Sequence, residues 1–178
     1  MFGEEGDMTN FEVVNDKLIL DPCCGGKMFW FDKNNPHVLF CDNREFEGDL
    51  WRDMRPFEVK PEMIVDFRDL PFEDESFWHV VFDPPHLTYA GDTSWIGKKY
   101  GKLPKEWQTY LKAGFDECWR VLKPFGTLIF KWNTDQIPVG QIIKAIGYEP
   151  LYGQKQVRKG HRTHWMAFVK LDECLVRR

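Results

Sequence analysis

The residues best suited to chemistry are an acid, two prolines and a histidine in a row, Asp83-Pro84-Pro85-His86. They follow "WHVVF", an apolar run typical of a buried strand. Proline fixes φ and has no N–H, so Asp-Pro-Pro offers a stiff set of hydrogen-bond acceptors without competing donors. Such a set suits the binding of an NH₂ group, and the His86 ring offers a π face for stacking. The alternative is a strand that simply ends in a tight proline turn.

A second cluster follows the apolar run "KLILD" (17–21). It is a glycine turn, "DPCCGG", made of Asp21, Pro22, Cys23, Cys24, Gly25 and Gly26. Glycine lets a backbone approach a ligand closely, although an ordinary turn is equally compatible with these letters. Asp42 ends the next apolar run, where a carboxylate can accept ribose hydroxyls. Asp66 and Asp69 follow a third run and could take an exocyclic amine of adenine.

These features predict a pocket for an adenosine-containing cofactor. The dinucleotide fingerprint GxGxxG and the triphosphate loop GxxxxGK[ST] are both missing from the sequence. A cofactor without a pyrophosphate is therefore favoured.

The order of elements predicts an α/β fold. Four apolar runs that each end in Asp (17–21, 37–42, 62–66 and 78–83) indicate parallel strands buried on both faces. Helical spacing predicts a helix over 105–126. The residues after it predict a strand over 127–132, a short helix over 138–147, and strands over 149–154 and 163–170. We therefore expect a Rossmann-like three-layer sandwich whose mostly parallel, seven-stranded sheet ends in an antiparallel hairpin.

The 178 residues suit one domain, with residues 1–12 expected to be flexible. No apolar stretch is long enough to span a membrane. Five cysteines without paired spacing predict a reduced, cytoplasmic protein. His161 and His164 have a spacing seen in metal sites, but no CxxC accompanies them and we predict no metal.

Charge divides the chain into two halves. Residues 1–92 carry 8 Lys+Arg and 21 Asp+Glu, a net −13, and residues 93–178 carry 16 and 7, a net +9. A basic face could hold a phosphate backbone despite the overall charge of −4. The candidate phosphate-binding residues are Lys98, Lys99, Lys155, Arg158, Lys159 and Arg162. The alternative is that these charges are solvated and protect a sheet edge.

The segment 84–104 has no clear periodicity and is predicted to be a substrate loop, because long irregular loops in compact domains are usually functional. Its aromatic residues Tyr89 and Trp95 are candidates to support a base or to cover the cleft.

The sequence resembles the class I S-adenosylmethionine-dependent methyltransferases over roughly residues 17–170. "DPCCGG" resembles their first motif, "LPFEDESFWHVVFDPPH" the approach to the fourth, and "ECWRVLKPFGTLIFKWN" the helix and strand that follow. "DPPH" resembles the [DNS]PP[YFWH] signature of enzymes that methylate exocyclic amines of bases. The whole chain is similar to small phage-type adenine-N6 methyltransferases. It departs from them at Cys23, Cys24 and His86, and it has no room for a large target-recognition domain.

The resemblance implies S-adenosyl-L-methionine as cofactor and a nucleic acid as partner. It implies methylation of an exocyclic amine, foremost adenine N6 in DNA. RNA adenine-N6 methylation, methylation of a small molecule or a protein side chain, and non-catalytic cofactor binding remain the alternatives.

Overall fold

The computed structural model describes residues 16–50, 55–91, 95–154 and 162–171. Within these ranges the strands are β1 (Ile19–Asp21), β2 (Val38–Asp42), β3 (Phe46–Leu50), β4 (Arg55–Val59), β5 (Met63–Ile64), β6 (Phe77–Phe82), β7 (Leu122–Asn133), β8 (Tyr152–Gly153) and β9 (Thr163–Val169). The helices are α1 (Trp95–Tyr100), α2 (Trp107–Val121) and α3 (Val139–Ile146).

Seven strands form one sheet in the order β5-β2-β1-β6-β7-β9-β8. The first five in this order are parallel to their neighbours, whereas β9 runs antiparallel to β7 and to β8. The predicted fold class is thereby confirmed: the fold is Rossmann-like, with a mostly parallel sheet and an antiparallel end. The chain moves outward from β1 on one side and from β6 on the other, so the switch point lies between β1 and β6. In such sheets, ligands bind at the carboxyl ends of the strands beside that point.

One face of the sheet is covered by α2 and α3, which pack against each other. The fully buried Leu111, Phe115 and Cys118 of α2 share a core with Phe82 of β6 and Phe130 of β7. Phe82 lies 5.5 Å from Phe130, ring to ring. This packing fixes the end of β6, immediately before Asp83.

The opposite face is covered differently in the described part of the chain. Turns, and no helix, connect β1 to β2 across residues 22–37. Aromatic rings from this segment lie on the sheet. The ring centroids of Trp30 and Phe40 are 5.1 Å apart, and those of Phe29 and Trp165 are 5.4 Å apart. A turn segment therefore occupies the position where a three-layer sandwich would have a helix.

The predicted elements are present, with shorter or shifted bounds. The third predicted strand, 62–66, retains only β5, and the predicted helix 105–126 ends at Val121. β7 begins at Leu122, so Pro124 and Gly126 lie inside an irregular start of that strand. Two elements were not predicted, namely the antiparallel hairpin β3–β4 and the helix α1 inside the substrate loop.

No helix in the described ranges is long and apolar enough to cross a membrane. The single-domain assignment stays a prediction, and residues 1–12 lie outside the described residues.

Two helical glycines should respond oppositely to a methyl group. A Cβ on buried Gly114 would lie 2.4 Å from Phe67, whereas exposed Gly140 has nothing within 4 Å of that position. We expect Gly114→Ala to lower the free energy of unfolding by roughly 1–3 kcal/mol through overpacking. Gly140→Ala, the matched control, should raise it by about 0.5–1 kcal/mol. Urea denaturation measures both, and equal effects would contradict the close α2–sheet packing.

Candidate cofactor and substrate cleft

The carboxylate of Asp21 is fully buried at the end of β1. Its Oδ2 accepts a hydrogen bond from the Trp30 indole N–H at 2.7 Å, and its Oδ1 accepts one from the Cys23 backbone N–H at 3.3 Å. Burial raises the pKa of Asp21 to about 7, and the nearby Asp83 and Asp42 act in the same direction. Asp21 thus holds the glycine turn through the Cys23 N–H, and Pro22 beside it is also buried.

The glycine turn is tied to the end of β2. Gly25 has φ +50°, and its N–H donates to Asp42 Oδ2 at 2.8 Å. Cys24 N–H donates to the Cys41 carbonyl at 2.8 Å. Nothing lies within 4 Å of a Cβ built on Gly25, which leaves open space above the turn. Gly26 is needed for a different reason, because its Cβ would lie 2.5 Å from Phe57 of the β3–β4 hairpin.

Asp42 is nearly buried and has both oxygens near donors. Gly25 binds Oδ2, and Arg44 Nε lies 3.6 Å from Oδ1. Burial raises the pKa of Asp42, and the Gly25 N–H and Arg44 oppose that rise.

Asp83 follows β6 and forms an ion pair with Lys131 of β7. Enclosure in the cleft raises the pKa of Asp83, while the Lys131 ammonium opposes the rise. The ammonium also lies over two rings, 5.0 Å from the centre of Phe29 and 5.7 Å from that of Trp165. A carboxylate and a cation therefore sit side by side at the switch point.

The rest of the "DPPH" run is held by packing. Pro84 is buried, and Pro85 lies against Gly101, which adopts φ +74°. The centroid of the His86 ring lies 5.3 Å from that of Tyr100 and 6.3 Å from that of Trp132. Burial and the Lys131 charge lower the pKa of His86, which favours the neutral ring.

Two adjoining chambers open at this edge of the sheet. The first chamber lies over the glycine turn and is lined by residues that include Cys23, Gly25, Asp42, Phe67, Lys99 and Tyr110. The second chamber is lined by residues that include Tyr89, Trp95, Lys131, Asn133, Asp135 and Gln136. Both chambers are lined by Met28, Asp83, His86 and Tyr100. Asp83 and His86 therefore stand in the wall between them.

Gln136 holds the start of the substrate loop. Its side-chain oxygen accepts from Thr88 N–H (2.7 Å), Thr88 Oγ1 (2.9 Å) and Tyr89 N–H (3.1 Å). Its amide group donates to the Tyr89 carbonyl at 3.0 Å. Tyr89 itself is 72% exposed, so its ring is available while its backbone is fixed.

The predicted adenine-binding acids lie elsewhere. The Asp66 carboxylate is bonded to the Arg68 guanidinium, which lowers the pKa of Asp66. Neither Asp66 nor Asp69 lines the first chamber. Their role in holding adenine stays a prediction.

The predicted basic residues are only partly described. Lys99 lines the first chamber, with its ammonium 5.1 Å from the centre of the Tyr100 ring. Arg162 pairs with Asp135 at the second chamber. The side chain of Lys98, and all of Lys155, Arg158 and Lys159, lie outside the described residues. Across the described ranges no cluster of three or more His, Cys, Asp or Glu could hold a metal ion, and His161 falls outside them.

Sequence reasoning missed several residues of the site, among them Lys131, Gln136 and Trp30. Lys131 had a detectable signal, because a lysine inside the apolar strand "TLIFKW" needs a charged partner nearby. Gln136 and Trp30 gave none, since their partners are backbone groups or a buried acid brought close by the fold.

No protein-family profile matches the chain, and no curated protein is significantly similar to it. Its structure is similar to that of a protein from Pyrococcus horikoshii OT3, with 16% identity, 86% of this chain and 81% of that chain covered, and a TM-score of 0.49. It is also similar to a SAM-dependent methyltransferase from Aquifex aeolicus (14% identity, 90% and 87% covered, TM-score 0.47). A third similar structure is the antibiotic-resistance methyltransferase Kmr (14%, 91% and 91%, TM-score 0.43). Likeness at this level carries no argument about function, and the fold rests on the strand order of the sheet itself.

Protonation of Asp21 should make stability depend on pH. Its pKa is raised from 3.8 to about 7, so between these values the folded protein binds a proton that the unfolded chain has released. The free energy of unfolding should therefore fall as pH rises through this window, by up to roughly 1 kcal/mol per pH unit, and level off above it. Asp21→Asn should flatten this dependence relative to wild type, as measured by chemical denaturation across the window. The exposed Asp32→Asn is the control, and three parallel curves would contradict a protonated Asp21.

Removal of the Gln136 side chain should loosen the start of the substrate loop. Gln136→Ala leaves two backbone N–H groups without their acceptor, at a cost of about 1–2 kcal/mol in local opening. Amide hydrogen exchange at Thr88 and Tyr89 should accelerate about tenfold or more. The exposed Gln141→Ala in α3 is the control and should leave these amides unchanged. Unchanged protection in Gln136→Ala would mean that the loop is held by other contacts.

Proposed function

We propose that this protein is an S-adenosylmethionine-dependent methyltransferase that acts on an exocyclic amine of a nucleobase, adenine N6 in DNA. The observation that carries the proposal is the common wall of the two chambers. An acceptor, Asp83, and a neutral ring, His86, line both the chamber over the glycine turn and the chamber under the substrate loop. A group bound in one chamber can therefore reach a group bound in the other.

The first chamber fits S-adenosylmethionine better than a dinucleotide. Turns follow β1, so no helix N-terminus is available there to bind a pyrophosphate. The open space over Gly25 accommodates the methionine portion, and Asp42 is suited to accept hydroxyl donors of a ribose. Tyr110, backed by the buried Phe67, supplies flat apolar surface for the adenine. When bound, the cofactor supplies a methyl group that its sulfonium already activates.

The residues of this chain then have to orient the amine. The lone pair of an aromatic amine is delocalised into its ring, so the amine is a poor nucleophile. Acceptors that bind its hydrogens favour a tetrahedral nitrogen and aim its lone pair. Asp83 offers such an acceptor and the Pro84 carbonyl a second one, and both belong to a segment stiffened by two prolines. The amine loses its proton readily after methylation, so no dedicated base is required.

The second chamber suits a flat substrate. The lowered pKa keeps the His86 ring neutral, which leaves its π face available for stacking. Tyr89 and Trp95 are exposed aromatic residues that line the same chamber. A base taken out of its stack needs aromatic surface of this kind.

A nucleic-acid substrate is supported by the basic second half of the chain. Arg162 lies at the rim of the second chamber, beside the basic segment 155–161 of the sequence. Basic side chains of this half could contact phosphates while the base enters the chamber. The resemblance to small phage-type enzymes favours DNA over RNA.

The proposal is tested with labelled S-adenosylmethionine and unmethylated DNA, RNA and free nucleosides. We expect label in DNA adenine, and we expect Asp83→Ala to reduce transfer by about 100-fold or more while cofactor affinity stays within about threefold. Asp116→Ala, which removes a carboxylate paired with Lys112 on α2, is the control and should retain full transfer. Label only in RNA, or only in nucleosides, would show that the substrate class is not DNA. No label in any of the three substrates would overturn the proposal.

A further inference from the structure

The pairing of Asp83 with Lys131 adds a donor to the acceptor that the proposed function requires. Asp83 Oδ2 is bonded to the Lys131 ammonium. In the described part of the chain no group donates to the other oxygen, Oδ1. The ammonium has three N–H groups, of which one is used by Asp83.

Both charged groups are accessible from the second chamber. Both residues line it, and their side chains keep similar exposed fractions, 21% for Asp83 and 19% for Lys131. The first chamber, in contrast, is lined by Asp83 but not by Lys131. A substrate in the second chamber therefore meets an acceptor and a donor side by side, at hydrogen-bond separation from each other.

We propose that Asp83 and Lys131 together read an amidine edge of the base, that is, an exocyclic amine beside an unprotonated ring nitrogen bonded to the same carbon. This inference rests on the proposed function and narrows its substrate. The amine donates to Asp83, and Lys131 donates to the ring nitrogen. Lys131 forms hydrogen bonds to Asp83 and to the ring nitrogen, and no covalent bond.

The pair selects among bases by the direction of the hydrogen bonds. Adenine (N6 beside N1) and cytosine (N4 beside N3) each present a donor next to an acceptor on the Watson–Crick edge. Guanine presents its amine next to N1–H on that edge. The N1–H and the Lys131 ammonium would then be two donors that face each other. Thymine and uracil have no exocyclic amine. When presented by the Watson–Crick edge, adenine and cytosine fit the pair, whereas guanine, thymine and uracil do not.

Two aromatic rings explain how the Lys131 ammonium can face a neutral base. Phe29 and Trp165 hold the ammonium over their rings, at 5.0 and 5.7 Å from the centroids. Such contacts partly replace the water that a buried ammonium loses. The cation can therefore remain in position with one carboxylate partner and still offer an N–H to the substrate.

Binding of base analogues tests this reading separately from methyl transfer. The probes are single-stranded oligothymidylates that carry one adenine, one 1-deazaadenine or one 7-deazaadenine, titrated into the full-length protein with S-adenosylhomocysteine present. The 1-deaza base replaces the ring nitrogen beside the amine by C–H, and the 7-deaza base is the matched control with a distant nitrogen replaced. We expect affinity to fall about 10- to 100-fold for 1-deazaadenine and less than about threefold for 7-deazaadenine. Plain oligothymidylate gives the baseline.

A variant then assigns the effect to the lysine. Lys131→Met keeps the length of the side chain and removes its charge. It should weaken binding of the adenine probe to the level of the 1-deaza probe and abolish the difference between the two, because the lost partners are the same pair. Cofactor affinity reports whether the variant is folded, and the wild-type analogue series is valid even if it is not.

The outcomes separate the two proposals. Equal affinity for adenine and 1-deazaadenine, or adenine affinity no better than the baseline, overturns the amidine reading. A larger loss for 7-deazaadenine than for 1-deazaadenine overturns it as well and indicates the opposite edge of the base. The expected order of affinities without any methyl transfer from S-adenosylmethionine would support the reading and overturn the proposed function alone.

Discussion

The cleft depends on keeping three carboxylates close together at one edge of a parallel sheet. Asp21, Asp42 and Asp83 end or follow three adjacent strands, and the pKa of each is raised by loss of solvent. Burying like charges together is expensive unless each is bound or protonated. The fold stabilises each carboxyl group differently: an indole N–H donates to Asp21, whose pKa is raised to about 7, a backbone N–H donates to Asp42, and a lysine ammonium pairs with Asp83. The three carboxyl groups therefore differ in their partners. Of the three, only Asp83 belongs to a charged pair that faces the second chamber.

The same constraint explains the segment between β1 and β2. This segment brings Trp30 to Asp21 and Phe29 to Lys131. Turns over residues 22–37 achieve both contacts. They also leave the space above Gly25 open, and Phe57 of the β3–β4 hairpin packs against the neighbouring Gly26. The turn connection, the buried Asp21 and the placement of the lysine are therefore one arrangement.

Much of this architecture is predictable from the sequence, because apolar runs that end in Asp indicate parallel strands whose ends meet. That reasoning located Asp21, Asp42 and Asp83 and the order of elements around them. It failed for the β3–β4 hairpin, since "FEGDL" and "RPFEV" carry few apolar residues. It also failed for Gln136 and Trp30, because hydrogen bonds to backbone groups and to a distant acid leave no pattern in the sequence. Local periodicity predicts strands, whereas partners 48 residues apart, such as Asp83 and Lys131, are set only by the register of β6 and β7.

That register also decides which side of Asp83 is free. Val81 pairs with Ile129 and Phe82 with Phe130, so Lys131 follows one position later, level with Asp83. Alternate residues of β7 face opposite sides of the sheet, and Phe130 and Trp132 are buried beneath α2 and α3. Lys131 must then project to the other face, where the aromatic pair and the second chamber lie. A shift of one residue in this strand pair would bury the cation among the helices and leave Asp83 unpaired. The donor–acceptor pair is thus fixed by the core itself.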